Sequence, residues 1–156
     1  MDYPKYELFE SVNSTIFEFT SVGNKGQITK IVKFTQTNNR LVYNLGFGDK
    51  VNPESSPAFA IDDFAISNNG DRNIILATIA NAIYVFTEIN NHSYVYFSGT
   101  SPSRIRLYRM AISNNFNELS LIFDIFGIVN DELSAKDKAV AFDPNIQFKG
   151  FLIKRR

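Results

Sequence analysis

The feature that most constrains the fold is an eighteen-residue run, "RNIILATIANAIYVFTEI", from Arg72 to Ile89. Its apolar residues recur at helical spacing, yet on a helical wheel they occupy almost the whole circumference. Only Asn73, Asn81, Thr87 and Glu88 mark a narrow polar edge. A helix apolar nearly all round is buried on more than one side. It is expected to lie between a sheet and a second layer, or at a subunit contact. A membrane span is not expected, because Thr78, Asn81 and Thr87 interrupt the run and ordinary globular sequence follows it.

Strand signals flank this helix. "TIFEFTSV" (15–22) sets Thr15, Phe17 and Phe19 against Glu18 and Thr20. After "GNKG", the run "QITKIVKFT" sets Ile28, Val32 and Phe34 against Thr29, Lys33 and Thr35. Two alternating runs around a glycine-bounded turn predict a β-hairpin, although Lys30 and Ile31 break the alternation. "YNLGFGD" (43–49) reads as a turn-rich segment and "KVNPESSPA" (50–58) as an exposed loop. "AFAIDDFAIS" (58–67) reads as a strand, "NNGD" (68–71) as the turn before the long helix, and "YVYFSG" (94–99) as another strand. "TSP" opens a second helix to about Glu118, "LSLIFDIFGIV" forms a strand, 128–147 is looser, and "FKGFLIK" closes the chain as a short strand. The expected fold is α+β in one domain, residues 1–156. An N-terminal hairpin and a β-α-β-α unit share one mixed sheet, packed by two main helices.

Composition narrows the chemistry. At 156 residues, 44% hydrophobic and 21% charged, the chain can bury a core of its own. It has no cysteine and one histidine, so thiolate catalysis, disulfides and Cys-type zinc sites are excluded, and no metal or other cofactor is expected. His92 stands in a polar turn, a surface position. The absence of cysteine and of a basic-then-apolar leader in "MDYPKYELFE" points to a cytoplasmic protein. Sixteen basic residues balance sixteen acidic ones, which argues against a dedicated nucleic-acid binder. The glycines of "GFGD" lack the spacing and the Lys-Ser/Thr of a phosphate-binding loop.

The stretch richest in chemistry is "SGTSPSRIRLYRM" (98–110). Ser101 is placed to cap the second helix and Pro102 fits its first turn, where free N–H groups and the helix dipole favour an anion. On the wheel, Arg104 falls in the middle of the apolar face, among Ile105, Leu107, Tyr108, Ala111 and Ile112. Arg106 and Arg109 fall on the solvent side. A guanidinium on a buried face needs partners for its charge and its donors. Two explanations stand: an internal ion pair with Asp62, Asp63, Asp71 or Asp124, or the floor of an anion pocket rimmed by Thr100, Ser101 and Ser103. If the strands before "NNGD" and "GTSPSR" run parallel in one sheet, both turns end at one edge, where open α/β sheets bind ligands. Asn69 and Asp71 would then join the site, or serve only as turn and cap residues. The terminal "FLIKRR" reads as a strand end carrying solvated charges.

The combination of "YNLGFGD", "NNGD", "ATIANAIYVFTE", "GTSPSRIRLYRM" and the closing "FLIKRR" resembles a family of small single-domain bacterial proteins designated a domain of unknown function. The likeness spans roughly residues 15–156. It implies a bacterial protein and brings no catalytic residues. The expected function is a non-enzymatic binding or interaction module, self-associating or docking a protein partner. A phosphate-containing ligand would sit at Asn69, Asp71, Thr100, Ser101, Ser103 and Arg104. The alternative is an enzyme acting on a phosphorylated or nucleic-acid substrate, such as a nuclease-like defence or toxin–antitoxin component. In it Arg104 would stabilise developing charge, assisted by Tyr108 or an aspartate.

Overall fold

The structure, a computed structural model, describes residues 4–11, 14–51, 61–62, 68–99, 101–131, 133–134 and 136–156, with 11, 61 and 62 in backbone only. In chain order its elements are β1 (Phe9–Ser11), β2 (Ile16–Gly23), β3 (Gly26–Gln36), β4 (Val42–Lys50) and β5 (Ile61–Asp62). Then come α1 (Arg72–Ile89), β6 (Tyr94–Phe97), α2 (Pro102–Asn114), α3 (Phe116–Leu119), β7 (Phe123–Asp131), β8 (Lys136–Ala141) and β9 (Gly150–Arg155). The strands form one mixed sheet in the order β1-β2-β3-β4-β6-β9-β7-β8, with the two-residue β5 paired beside β4. Every pairing is antiparallel except β4 with β6. The fold is α+β. No helix among the described residues is long and apolar enough to cross a membrane.

The N-terminal hairpin forms as the alternation predicts. Gly23 pairs with Gly26 around Asn24 and Lys25, and Gly26 adopts φ 84°, which glycine takes at no steric cost. The break at Lys30 and Ile31 has a physical cause. Lys30 points to the helical face, is only 4% exposed, and pairs with the Asp49 carboxylate opposite it. Ile31 points to the other face and is fully buried there. Both faces of β3 are therefore buried at this point, and strict polar–apolar alternation has no reason to hold there.

Two expectations are overturned here. "YNLGFGD" is not a turn but the body of β4, paired with β3 on one side and β6 on the other. Tyr43, Leu45, Phe47 and Asp49 face the helices while Asn44, Gly46 and Gly48 face away, so the glycines obey the strand period. The strand that pairs parallel to β6 is this one; β5 runs antiparallel to β4, so the segment before "NNGD" is not the parallel partner of β6. Of the strand expected over 58–67, only Ile61–Asp62 is described. Two further boundaries move. The second helix ends at Asn114 and α3 follows, and the segment expected to be looser carries β8.

Both helices lie on one face of the sheet. Phe86 of α1 stacks on Phe34 with 4.1 Å between ring centroids and meets Tyr43 edge-on at 5.0 Å. Tyr108 of α2 meets Phe97 edge-on at 5.4 Å, and Phe97 packs on Phe151. Each such buried aromatic contributes roughly 1.5–3 kcal/mol by leaving water. The C-terminal basic pair is not simply solvated. The Arg155 guanidinium donates to Tyr84 O (2.8 Å) and Thr87 Oγ1 (3.3 Å) and lies 4.4 Å over the Tyr84 ring, tying β9 to α1. Arg156 pairs with Asp124 at 3.0 Å.

Candidate functional site

Asn69 and Asp71 both meet the hairpin that β2 and β3 form, through different bonds. Asn69 Oδ1 accepts from the Lys25 N–H (2.6 Å), and its Nδ2 donates to Ser21 Oγ (3.0 Å) and Gly26 O (2.9 Å). The Asn24 N–H donates to Asn69 O at 3.0 Å. The contact is close enough that a Cβ on Gly23 would lie 1.8 Å from that carbonyl oxygen. Asp71 stands at the start of α1 but makes no side-chain cap. Its Oδ2 instead accepts from the Tyr6 and Ser21 hydroxyls, each at 2.5 Å. Burial, then the bond to Asp71, holds the Tyr6 phenol above its ordinary pKa. Tyr6 also donates its N–H to Thr78 Oγ1 (2.9 Å) and stacks on Phe19, so the N-terminal segment is strapped across α1 and β2.

Ser101 caps α2, its Oγ accepting from the Arg104 N–H at 3.3 Å, while the Ile105 N–H bonds Ser101 O at 3.2 Å. Pro102 has no N–H, so Ser103 holds the first-turn donor that has no bond among the described residues. Gly99 packs directly on this turn: a Cβ there would lie 2.7 Å from both Arg104 Cβ and Ile105 N. Ser103 is exposed, and Thr100 lies outside the described residues.

Arg104 reaches the sheet. Its Nη1 donates to Phe47 O at 3.3 Å, and the guanidinium lies 5.6 Å from the Phe47 ring centroid. Lys30 sits over the same ring at 5.8 Å. Of the aspartates named for an ion pair with Arg104, Asp71 is engaged by Tyr6 and Ser21. Asp124 lies in register with Lys154, on the face away from the helices, and pairs with Arg156. The side chain of Asp62 and all of Asp63 lie outside the described residues. Arg106 is exposed and Arg109 partly so. Among the described residues, the bonds of Asn69 and Asp71 thus run to Tyr6 and the hairpin, and those of Arg104 and Ser101 to β4 and within α2.

Sequence reasoning missed a crevice of about 280 Å³ between α1 and α2. Leu45, Phe97, Phe123, Ile125 and Ile153 of the sheet form its floor, Leu76, Ile79, Ala80 and Ile83 one wall, and Leu107, Ala111 and Ile112 the other. The lining residues that carry polar side-chain groups are Arg72, Asn73, Tyr108, Asn114 and Asn115. The all-round apolar wheel of α1 was the signal for it, because one apolar flank of that helix, Leu76, Ala80 and Ile83, lines this gap.

His92 is exposed in the turn before β6, and no group of three or more acidic or imidazole side chains among the described residues is placed to hold a metal. No curated protein and no solved structure matches the chain. The profile of a family described as "Family of unknown function (DUF6934)" matches residues 2–156, almost the whole sequence, and the chain belongs to that family.

Proposed function

We propose that this protein is a non-enzymatic binding module and that the crevice between α1 and α2 seats a small ligand with an apolar body. The observation that carries this is the crevice itself, a concave space walled by apolar side chains with a few polar groups. Apolar walls of this kind bind by shedding water and supply no acid, base or nucleophile.

The charged residues support the same conclusion from the other direction. Lys30 is spent on Asp49, Asp71 on Tyr6 and Ser21, and Arg155 on α1. On this view Arg104 is the tie between α2 and β4, where its stacking on Phe47 contributes packing as well as charge. Asn69 and Asp71 tie the start of α1 to the hairpin and to the N-terminal strap.

The test is thermal unfolding with 1-octanol, a neutral probe with an apolar chain. Binding only the folded chain, it raises Tm by mass action. Ala111→Phe, which places a ring in the crevice from a half-buried helix position, should abolish that shift while the variant still unfolds cooperatively. An equal shift in both proteins would place the probe elsewhere and remove the basis for the proposal.

A further inference from the structure

Resting on the crevice as ligand seat, the structure assigns it a narrower ligand class: we propose that it takes a small amphiphile with a carboxylate head, read by Arg72. Among the described residues, the polar side chains of the lining are one charged group, Arg72, three carboxamides and the Tyr108 phenol, with no carboxylate among them. The lining is therefore complementary to an anion, and to one of single charge. A phosphate monoester, carrying close to two charges at neutral pH, would leave one unmet. A carboxylate matches both the charge and the fork geometry of a guanidinium.

The placement of Arg72 follows from the helix. At about 100° per residue, Arg72, Asn73, Leu76, Ala80 and Ile83 share the flank of α1 that lines the crevice. Asp71 and Thr78 fall on the other flank, where Asp71 accepts from Tyr6 and Ser21, and Thr78 from the Tyr6 N–H. The acidic residue next to Arg72 in sequence is thus bonded away from the crevice and does not neutralise it. Arg72 and Asn73 are both exposed, and among the described residues neither side chain is committed to an internal bond. Asn115, by contrast, donates to Ala111 O at 2.8 Å and caps its own helix. The head group would therefore be met by Arg72 and Asn73, with the chain lying over Leu45, Phe97 and Ile153.

The experiment compares octanoate with 1-octanol, the same chain with and without charge, by calorimetric titration of the wild type, Arg72→Gln and Ala111→Phe. Circular dichroism checks that each variant is folded. The expected result is about tenfold tighter binding of octanoate than of octanol to the wild type, as a charge-assisted bond supplies. That preference should vanish in Arg72→Gln while octanol binding is unchanged, and both ligands should fail on Ala111→Phe. Equal binding of the two ligands to the wild type would overturn the carboxylate assignment and leave the crevice standing. A preference that survives Arg72→Gln would overturn the role of Arg72. Failure of both ligands on the wild type would remove the crevice as a ligand seat, and this inference with it.

Discussion

Removing one oxygen atom from the N-terminal strap should cost more than its position near the chain end suggests. In Tyr6→Phe the ring keeps its stack on Phe19, 5.7 Å between centroids, and the backbone bond to Thr78 is untouched. The loss is the hydroxyl that donates to Asp71 Oδ2 at 2.5 Å. Asp71 is only 7% exposed and its Oδ1 has no hydrogen-bond partner among the described residues, so water cannot readily replace the missing donor. A hydrogen bond to a carboxylate contributes about 1.5–3 kcal/mol, and the half-exposed phenol places the expected loss near 2 kcal/mol. For a chain of this size that is a fall in Tm of about 4–8 °C.

The same group gives the effect a pH signature. The folded phenol holds its proton above the ordinary value of 10.0, because of burial and then of Asp71. As pH rises past that value the unfolded chain sheds the proton first, so this contribution is complete below it and is lost above it. Tyr6→Phe has no such proton to lose. The stability gap between the two proteins should be constant near neutrality and narrow in alkali. Urea unfolding across that range measures it. A Tm change under about 1 °C, or a gap that does not narrow, would refute the strap as described.

Gly23→Ala puts a Cβ 1.8 Å from Asn69 O and must push the hairpin off the "NNGD" turn, breaking several hydrogen bonds; a loss of roughly 2–4 kcal/mol in urea unfolding is expected. Gly127→Ala puts a Cβ 2.2 Å from the Phe148 ring and should cost about 1–3 kcal/mol by overpacking. Combined with Phe148→Ala it should cost clearly less than the two changes summed, and additivity in that double-mutant cycle would show that the ring does not fill the space. Arg104→Gln loses the contacts to Phe47 and should destabilise by about 1–3 kcal/mol, with wild type and variant gaining equally from phosphate or sulfate in thermal unfolding. Anion stabilisation that disappears in the variant would return Arg104 to the role of ligand floor.

The hairpin, α1, the Ser101 cap and the last strand were legible because each carries a local signal: alternation, helical period, a capping residue before a proline. β4 was not, because the glycines of "YNLGFGD" read as turn punctuation. Their period-two placement between Tyr43, Leu45 and Phe47 makes sense only once β3 and β6 flank them. The pairing partner of β6 was hidden for the same reason, since parallel pairing is a long-range fact with no local signature. The wheel put Arg104 on the inner face of α2, and that side chain does reach the sheet. No periodicity, however, could name Phe47 as what it meets. The crevice was out of reach because it depends on how far apart two helices stand. Leu107 and Ala111 read as ordinary core positions, whether the gap beside them is filled or open.

The crevice as ligand seat is tested most directly by methyl-resolved NMR of the wild type titrated with octanoate. Shifts confined to the methyls of Leu76, Ile79, Ile83, Leu107, Ile112 and Ile153, with those of Val22, Val32 and Ile16 unmoved, are the predicted result. An unchanged spectrum at saturating probe, or shifts centred on the hairpin or on Phe47 and Arg104, would contradict it.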